Sequence, residues 1–136
     1  MGISATTSAF QPPTIPWLSP QALVVEPGLD GQAVELGLQR LCADASVQAV
    51  LAFGSRARGS GRVDSDLDLA VICRESSLDP ALKTERWSHY RGLLGLLGCG
   101  VDLVVQGCVD AERLAGSRWH VMGDVAREGK VLYVAG

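Results

Sequence analysis

Apolar and polar positions follow a helical period near the start of the chain and then change to short apolar runs. From Gly31 to about Ala45, apolar residues recur at intervals of three and four, which predicts an amphipathic helix that packs on an apolar surface. Two apolar runs follow, Val47–Phe53 and Leu67–Cys73, and each is bounded by polar or glycine-containing turns. Their length and their boundaries favour buried strands over helices.

The second half of the chain repeats this alternation. A helical period runs between Asp79 and Gly98, and the sequence Asp79-Pro80 is typical of a helix start. A third apolar run, "VDLVV", follows the glycines, then a helical stretch from Val109 to Glu128 and a last short strand at "KVLYVA". The predicted order α-β-β-α-β-α-β indicates an α/β or α+β domain, with a mixed sheet flanked by helices.

Prolines concentrate at the N-terminus, where they oppose both helix and sheet hydrogen bonding. Five of the six prolines precede residue 28: Pro12, Pro13, Pro16, Pro20 and Pro27. We therefore predict an extended or disordered arm over residues 1–28 and a single folded domain over residues 29–136.

Length and composition narrow the class of protein. A chain of 136 residues with 47% apolar and 20% charged residues is typical of one globular domain, and no apolar run approaches the roughly 20 residues of a membrane span. The net charge of −3 opposes direct nucleic-acid binding, because such domains usually carry a strongly basic face. Four cysteines without a C-x-x-C pair favour buried thiols in a reducing cytoplasm, without membrane association.

Carboxylates interrupt two of the predicted strands. Asp66 and Asp68 are two residues apart and therefore face the same side of a strand, and Asp64 lies just before them. Asp102 interrupts the third apolar run, and it would complete the group if that strand pairs beside the first. Clustered carboxylates repel one another, so this pattern favours one or two bound Mg²⁺ ions. Solvated acids at a strand end are the alternative, and for Asp64 we expect a solvated turn residue or a group that supports the site from outside.

A Gly-Ser turn ends the first predicted strand. At Gly54 the backbone can approach a ligand closely, and the turn amides together with the hydroxyl of Ser55 suit phosphate oxygens. Arg56, Arg58 and Arg62 follow, and their charges would suit a triphosphate. The same residues also fit an ordinary strand-ending turn and a solvated loop.

The spacing of these residues resembles that of a known superfamily. Gly54-Ser55, ten residues and then Asp66-Leu67-Asp68 resemble the motif of the nucleotidyltransferases with the DNA polymerase β-like fold. More narrowly, "GSRARG", "SDLDLAVI", "VDLVV" and "AREGKVLY" resemble the minimal nucleotidyltransferases, the MntA-like antitoxins whose genes accompany HEPN-domain toxins. The resemblance extends from about Leu36 to Val134.

The resemblance implies a set of site residues and cofactors. Two magnesium ions would be bound by the three carboxylates of Asp66, Asp68 and Asp102. The β- and γ-phosphates of ATP would be held by Gly54 and Ser55, with help from Arg56 and Arg58.

The resemblance also implies a function, transfer of AMP from ATP to a tyrosine of a HEPN ribonuclease toxin, which would neutralise the toxin. The length leaves little room beyond the catalytic core, so the acceptor is expected to bring its own binding surface. Two alternatives stay open: a nucleotidyltransferase acting on a small hydroxylated compound of the aminoglycoside type, and a non-catalytic antitoxin that acts by binding.

Overall fold

A five-stranded mixed β-sheet forms the centre of the computed structural model, which describes residues 17–18, 30–118 and 120–135. In chain order its strands are β1 (Trp17–Leu18), β2 (Val47–Phe53), β3 (Leu67–Cys73), β4 (Val101–Gly107) and β5 (Lys130–Val134). They lie side by side in the order β1-β5-β2-β3-β4. The β3–β4 pair is parallel and the other neighbours are antiparallel, which confirms the predicted mixed sheet.

Helices cover both faces of the sheet. They are α1 (Gly31–Cys42), α2 (Gly54–Arg58), α3 (Pro80–Leu94), α4 (Cys108–Ala115) and α5 (Val121–Glu128). Apolar residues of α1 and α3 pack on one face, whereas those of α4 and α5 pack on the other. The helix α3 is the crossover that two parallel strands require, and it carries the chain from the end of β3 to the start of β4.

Alternation along β3 divides its side chains between the two faces. Leu67 and Leu69 are fully buried in the cluster under α1 and α3, whereas Ala70 and Ile72 belong to the cluster under α4 and α5. By the same alternation, Asp68 points to the side of α4 and α5. The half-buried Asp68 is therefore the second residue of a strand whose other residues are in the core.

Three helix boundaries differ from the sequence prediction. The helix α1 ends at Cys42 instead of Ala45, because the carboxylate of Asp44 accepts the Ser46 N–H at 2.9 Å and forms a tight turn. The helix α3 ends at Leu94 because Gly95 adopts a φ of 72°. The predicted helix from Val109 to Glu128 is two helices, α4 and α5, and α4 ends at Ala115, directly before Gly116.

The described part of the predicted N-terminal arm consists of Trp17 and Leu18. These two residues are extended and form the edge strand β1, in register with Val134 and Tyr133 of β5. The rest of residues 1–28 lies outside the described residues.

Two further expectations concern the membrane and the thiols. Among the described residues, no helix has the length and apolar character needed to cross a bilayer. All four cysteines are free thiols, but only Cys73 is fully buried, and the other three are half-buried. The prediction that the cysteines are unpaired is confirmed, and the prediction that they are buried holds for Cys73.

Candidate active site

Asp68 and Asp102 are direct partners in the parallel β3–β4 pair. Neighbouring strands lie about 4.8 Å apart, and partners in register present their side chains on the same face. The pairing begins one residue earlier, where the Leu67 N–H donates to the Gly100 carbonyl at 2.9 Å. The structure thus brings together two carboxylates that the sequence separates by the whole of α3.

Two glycines leave space for the carboxylates. A Cβ on Gly54, which has a φ of 75°, would collide with the carboxylate of Asp68. A Cβ on Gly100 would likewise collide with the carboxylate of Asp66. The start of α2 and the start of β4 therefore approach the two acids more closely than any residue with a side chain could.

The electrostatics of the site centre on Asp68. Burial is the largest cause that raises the pKa of its carboxyl to about 6, and the negative charges of Asp102 and Asp66 contribute to the same rise. The positive charge of Arg58 acts in the opposite direction. Asp102, Asp66 and Arg58 therefore all lie within electrostatic range of Asp68.

This donor set fits a divalent cation. Among the described residues, no three acidic, histidine or cysteine side chains are already gathered as a cation cage. Asp66 and Asp102 are exposed at the sheet edge, however, and their carboxylates can turn towards an ion beside Asp68. Oxygen ligands of this kind suit Mg²⁺, and a bound cation would relieve the repulsion that raises the pKa of Asp68.

The predicted Gly-Ser turn is the first turn of a short helix. The helix α2 begins at Gly54, directly after the last residue of β2, and ends at Arg58, before Gly59, which has a φ of 83°. Ser55 is half-buried, and its carbonyl accepts the Ser60 N–H at 2.9 Å. Both residues of the motif thus lie where the sheet, α2 and the carboxylate of Asp68 meet.

Arg58 lies at the border of the site, with its side chain half exposed. Its guanidinium forms an ion pair with Glu128 at 2.8 Å, which joins α2 to the end of α5. Sequence reasoning did not assign Glu128 to the site. The only signal was its position within the "AREGKVLY" stretch, since nothing in the linear sequence places it beside Arg58.

Arg56 has a different environment. It is fully buried, and its guanidinium donates to the carbonyls of Ser65 and Arg62 at 3.1 and 3.0 Å. Arg56 therefore contacts the loop that follows α2, and its predicted contact with phosphate stays a prediction. Arg62 and Asp64 are exposed on the same loop, and the structure assigns neither of them to the site.

Comparison with known proteins identifies the class of this chain. The family model described as Polymerase beta, Nucleotidyltransferase matches residues 38–135, and the chain belongs to this family. Within that superfamily it is a minimal nucleotidyltransferase. A search of curated protein sequences finds no match.

Several solved structures resemble the chain. A mutant of the toxin-antitoxin MntA-HpeT is 26% identical with a TM-score of 0.51, and the match covers 74% of this chain and 72% of that one. A toxin-antitoxin with AMP-PNP is 25% identical with a TM-score of 0.48, over 73% and 72% of the two chains. A nucleotidyltransferase from Sulfolobus solfataricus is 18% identical with a TM-score of 0.45, over 73% and 84%.

Proposed function

We propose that this protein is an antitoxin that transfers AMP from ATP to a tyrosine of a cognate HEPN ribonuclease toxin and so neutralises it. The observation that carries the proposal is the pairing of Asp68 with Asp102 beside the Gly54-Ser55 turn, in a member of the nucleotidyltransferase family. The similarity to the toxin-antitoxin MntA-HpeT supports a toxin as the partner.

Three carboxylates at or directly before the starts of β3 and β4 form the acidic edge of the sheet, those of Asp66, Asp68 and Asp102. The nucleotide would bind between the start of α2 and this acidic edge. Gly54 lets the backbone of α2 come close to a ligand, and the Ser55 hydroxyl with neighbouring amides would hold the β- and γ-phosphates. Arg58 is the basic side chain that already acts on Asp68, and it would offset part of the charge of the triphosphate.

Asp66, Asp68 and Asp102 would hold magnesium, with two ions expected. When bound, magnesium polarises the attacking hydroxyl and neutralises charge on the leaving pyrophosphate. The chain's own contribution is to fix three carboxylates at one edge of a rigid sheet. Burial and the negative charges of Asp102 and Asp66 favour the protonated form of Asp68, so positive charge beside Asp68 favours the ionised form that binds a cation.

The proposed reaction is an in-line displacement at the α-phosphorus of ATP. The tyrosine oxygen forms a bond to that phosphorus, and the bond from the phosphorus to the bridging oxygen of pyrophosphate breaks. The tyrosine proton passes to a base, and we assign this role to Asp102, whose side chain is exposed. The products are the adenylylated toxin and pyrophosphate.

The direct test is to mix the purified protein with ATP, Mg²⁺ and the HEPN toxin and to measure the mass of the toxin. We expect the toxin to gain one or more adenylyl groups on tyrosine and to lose ribonuclease activity. The double substitution Asp66→Asn with Asp68→Asn should reduce the transfer rate at least about a hundredfold. Asp64→Asn is the matched control, since Asp64 is an exposed aspartate two residues earlier, and it should retain activity.

Two outcomes would contradict the proposal. If the double variant neutralises the toxin as well as the wild type does, the antitoxin acts by binding. If pyrophosphate is released with an aminoglycoside-type compound, but the toxin gains no mass, the acceptor is a small molecule.

A further inference from the structure

Arg56 is a charged residue in the core, and its side chain organises the loop over residues 60–66. Its guanidinium donates to the carbonyls of Arg62 and Ser65, and the residue is fully buried. The same loop packs closely against the side chain of Arg56, because a Cβ on Gly61 would lie 2.9 Å from the Cγ of Arg56. Burial of a guanidinium is costly unless its hydrogen bonds are made, so the loop and the arginine stabilise each other.

Hydrogen bonds within the loop complete this arrangement. The Arg62 N–H donates to the Ser65 hydroxyl at 2.7 Å, and the Ser65 N–H donates to the Arg62 carbonyl at 3.0 Å. Arg62 and Ser65 thus form a closed turn whose two carbonyls both point at the same guanidinium. The turn ends one residue before Asp66.

The backbone on both sides of Asp66 is consequently fixed. The preceding carbonyl, that of Ser65, accepts from Arg56 Nε at 3.1 Å. The following N–H, that of Leu67, donates to the Gly100 carbonyl at 2.9 Å. Within the described ranges, no hydrogen bond or ion pair holds the Asp66 carboxylate itself. The backbone on either side therefore sets the direction of the Asp66 Cα–Cβ bond, from which the carboxylate turns towards an ion.

We propose that Arg56 is a positioning residue, which aims the Asp66 carboxylate at the cation by holding the carbonyl that precedes it. The inference rests on the proposed function only in taking Asp66 as a cation ligand. It gives the first arginine of the "GSRARG" stretch a role that does not involve phosphate. Partners that orient a ligand from outside the first coordination sphere typically change metal affinity by 10- to 100-fold.

The test compares two arginines that make the same kind of contact. Arg40 on α1 also donates from Nε and Nη2 to two main-chain carbonyls, those of Leu93 and Leu94, at 2.6 and 3.1 Å. That contact joins α1 to the end of α3. Arg56→Lys and Arg40→Lys both keep the charge but lose the two-pronged donor, so each should lower the unfolding midpoint.

Mn²⁺ serves as the probe, and its affinity for each protein is measured by electron paramagnetic resonance of the unbound ion. We expect Arg56→Lys to weaken Mn²⁺ binding at least about tenfold and Arg40→Lys to stay within about twofold of the wild type. Wild-type affinity in Arg56→Lys would overturn the proposal. An equal loss in both variants would also overturn it, because the effect would then follow general stability.

A second variant covers the case in which Arg56→Lys does not fold. Ser65→Ala removes the hydroxyl that accepts the Arg62 N–H while Arg56 is retained, and it should weaken Mn²⁺ binding several-fold; unchanged affinity would contradict the proposal. A wild type that binds no Mn²⁺ would refute the cation assignment of the proposed function and the positioning role with it. A wild type that binds Mn²⁺ with the same affinity as the variants would refute the positioning role alone.

Discussion

Asp68 is the residue at which folding and the proposed chemistry oppose each other. Its carboxyl has a pKa of about 6 because of burial and the neighbouring negative charges of Asp102 and Asp66. In the unfolded chain the carboxyl regains its ordinary value of 3.8. The folded state therefore binds the proton more tightly, and the contribution of this group to stability falls as the pH rises from about 4 to about 6.

Replacement of this carboxylate should stabilise the cation-free protein at neutral pH. Asp68→Asn removes the buried charge and keeps the shape of the side chain, so we expect an unfolding midpoint a few degrees higher than that of the wild type at pH 7.5. At pH 4 the wild-type carboxyl is itself protonated in the folded state, and the advantage should disappear. Thermal unfolding at both pH values, with a chelator present, measures the difference. An equal difference at both pH values would contradict the electrostatic explanation.

At the residue scale, the acidic site residues can be recognised in the sequence, whereas the environments of the two arginines cannot. Asp66 and Asp68 are visible because polar residues at strand spacing interrupt an apolar run, and Asp102 is visible for the same reason. Arg56 and Arg58 have the same charge and lie in one short turn. Their difference is tertiary, since one side chain is fully buried under the loop and the other pairs with the distant Glu128.

At the scale of elements, the contact between α1 and α3 depends on a glycine. Gly37 of α1 packs against the carbonyl of Leu94, and a Cβ at this position would collide with that carbonyl and lie 3.2 Å from the Leu97 Cδ2. The carbonyl belongs to the end of α3 and cannot move cheaply. The close approach also leaves Arg40 on α1 within reach of the same end of α3.

Two glycine-to-alanine substitutions separate this packing from helix propensity. Gly37→Ala should destabilise the protein by about 1–3 kcal/mol, because overpacking outweighs the gain in helix propensity. Gly92→Ala in α3 is the matched control: Gly92 is exposed, a Cβ there meets nothing within 4 Å, and the substitution should stabilise by up to about 1 kcal/mol. Urea denaturation of both variants measures the difference. If both substitutions change the free energy of unfolding in the same direction, the contact between Gly37 and the Leu94 carbonyl is not tight.

The strands were the most predictable elements. Runs of apolar residues fixed β2 and β3 at their observed limits, since both strands are buried on both faces. The strand β4 is longer than its apolar run and includes Gln106, a polar residue that is buried with its side chain accepting from Lys83 at 3.2 Å. The helix α2 was not predicted, because five residues that begin with glycine show no helical period. The end of β4 and the formation of α2 both depend on contacts with residues that are distant in the sequence.

At the scale of the whole molecule, the two outer strands of the sheet differ. On one side, β4 forms the edge, and there the Trp87 indole N–H donates to the Leu103 carbonyl at 3.0 Å. On the other side, the short β1 covers β5 by pairing with Val134 and Tyr133. An uncovered strand edge can pair with another chain, so we expect β1 to limit the pairing of β5 with a second molecule.

Removal of residues 1–28 should therefore leave the acidic edge in place but uncover β5. We expect the truncated protein to bind Mn²⁺ as the full chain does and to form dimers or larger species as its concentration rises. Size-exclusion chromatography with light scattering over a range of concentrations measures this, with the full chain as the reference. A truncated protein that stays monomeric throughout would show that β1 has no such protective role.

The register of Asp68 with Asp102 also imposes an order in time. During synthesis, the Gly-Ser turn and the Asp-x-Asp pair emerge well before β4, yet the third carboxylate can join them only after α3 has folded back and β4 has entered the sheet at the edge. A chain that is incomplete or cut within α3 carries the recognisable motif without the assembled acidic edge. The complete set of carboxylates therefore requires the chain up to β4, although the motif itself ends at Asp68.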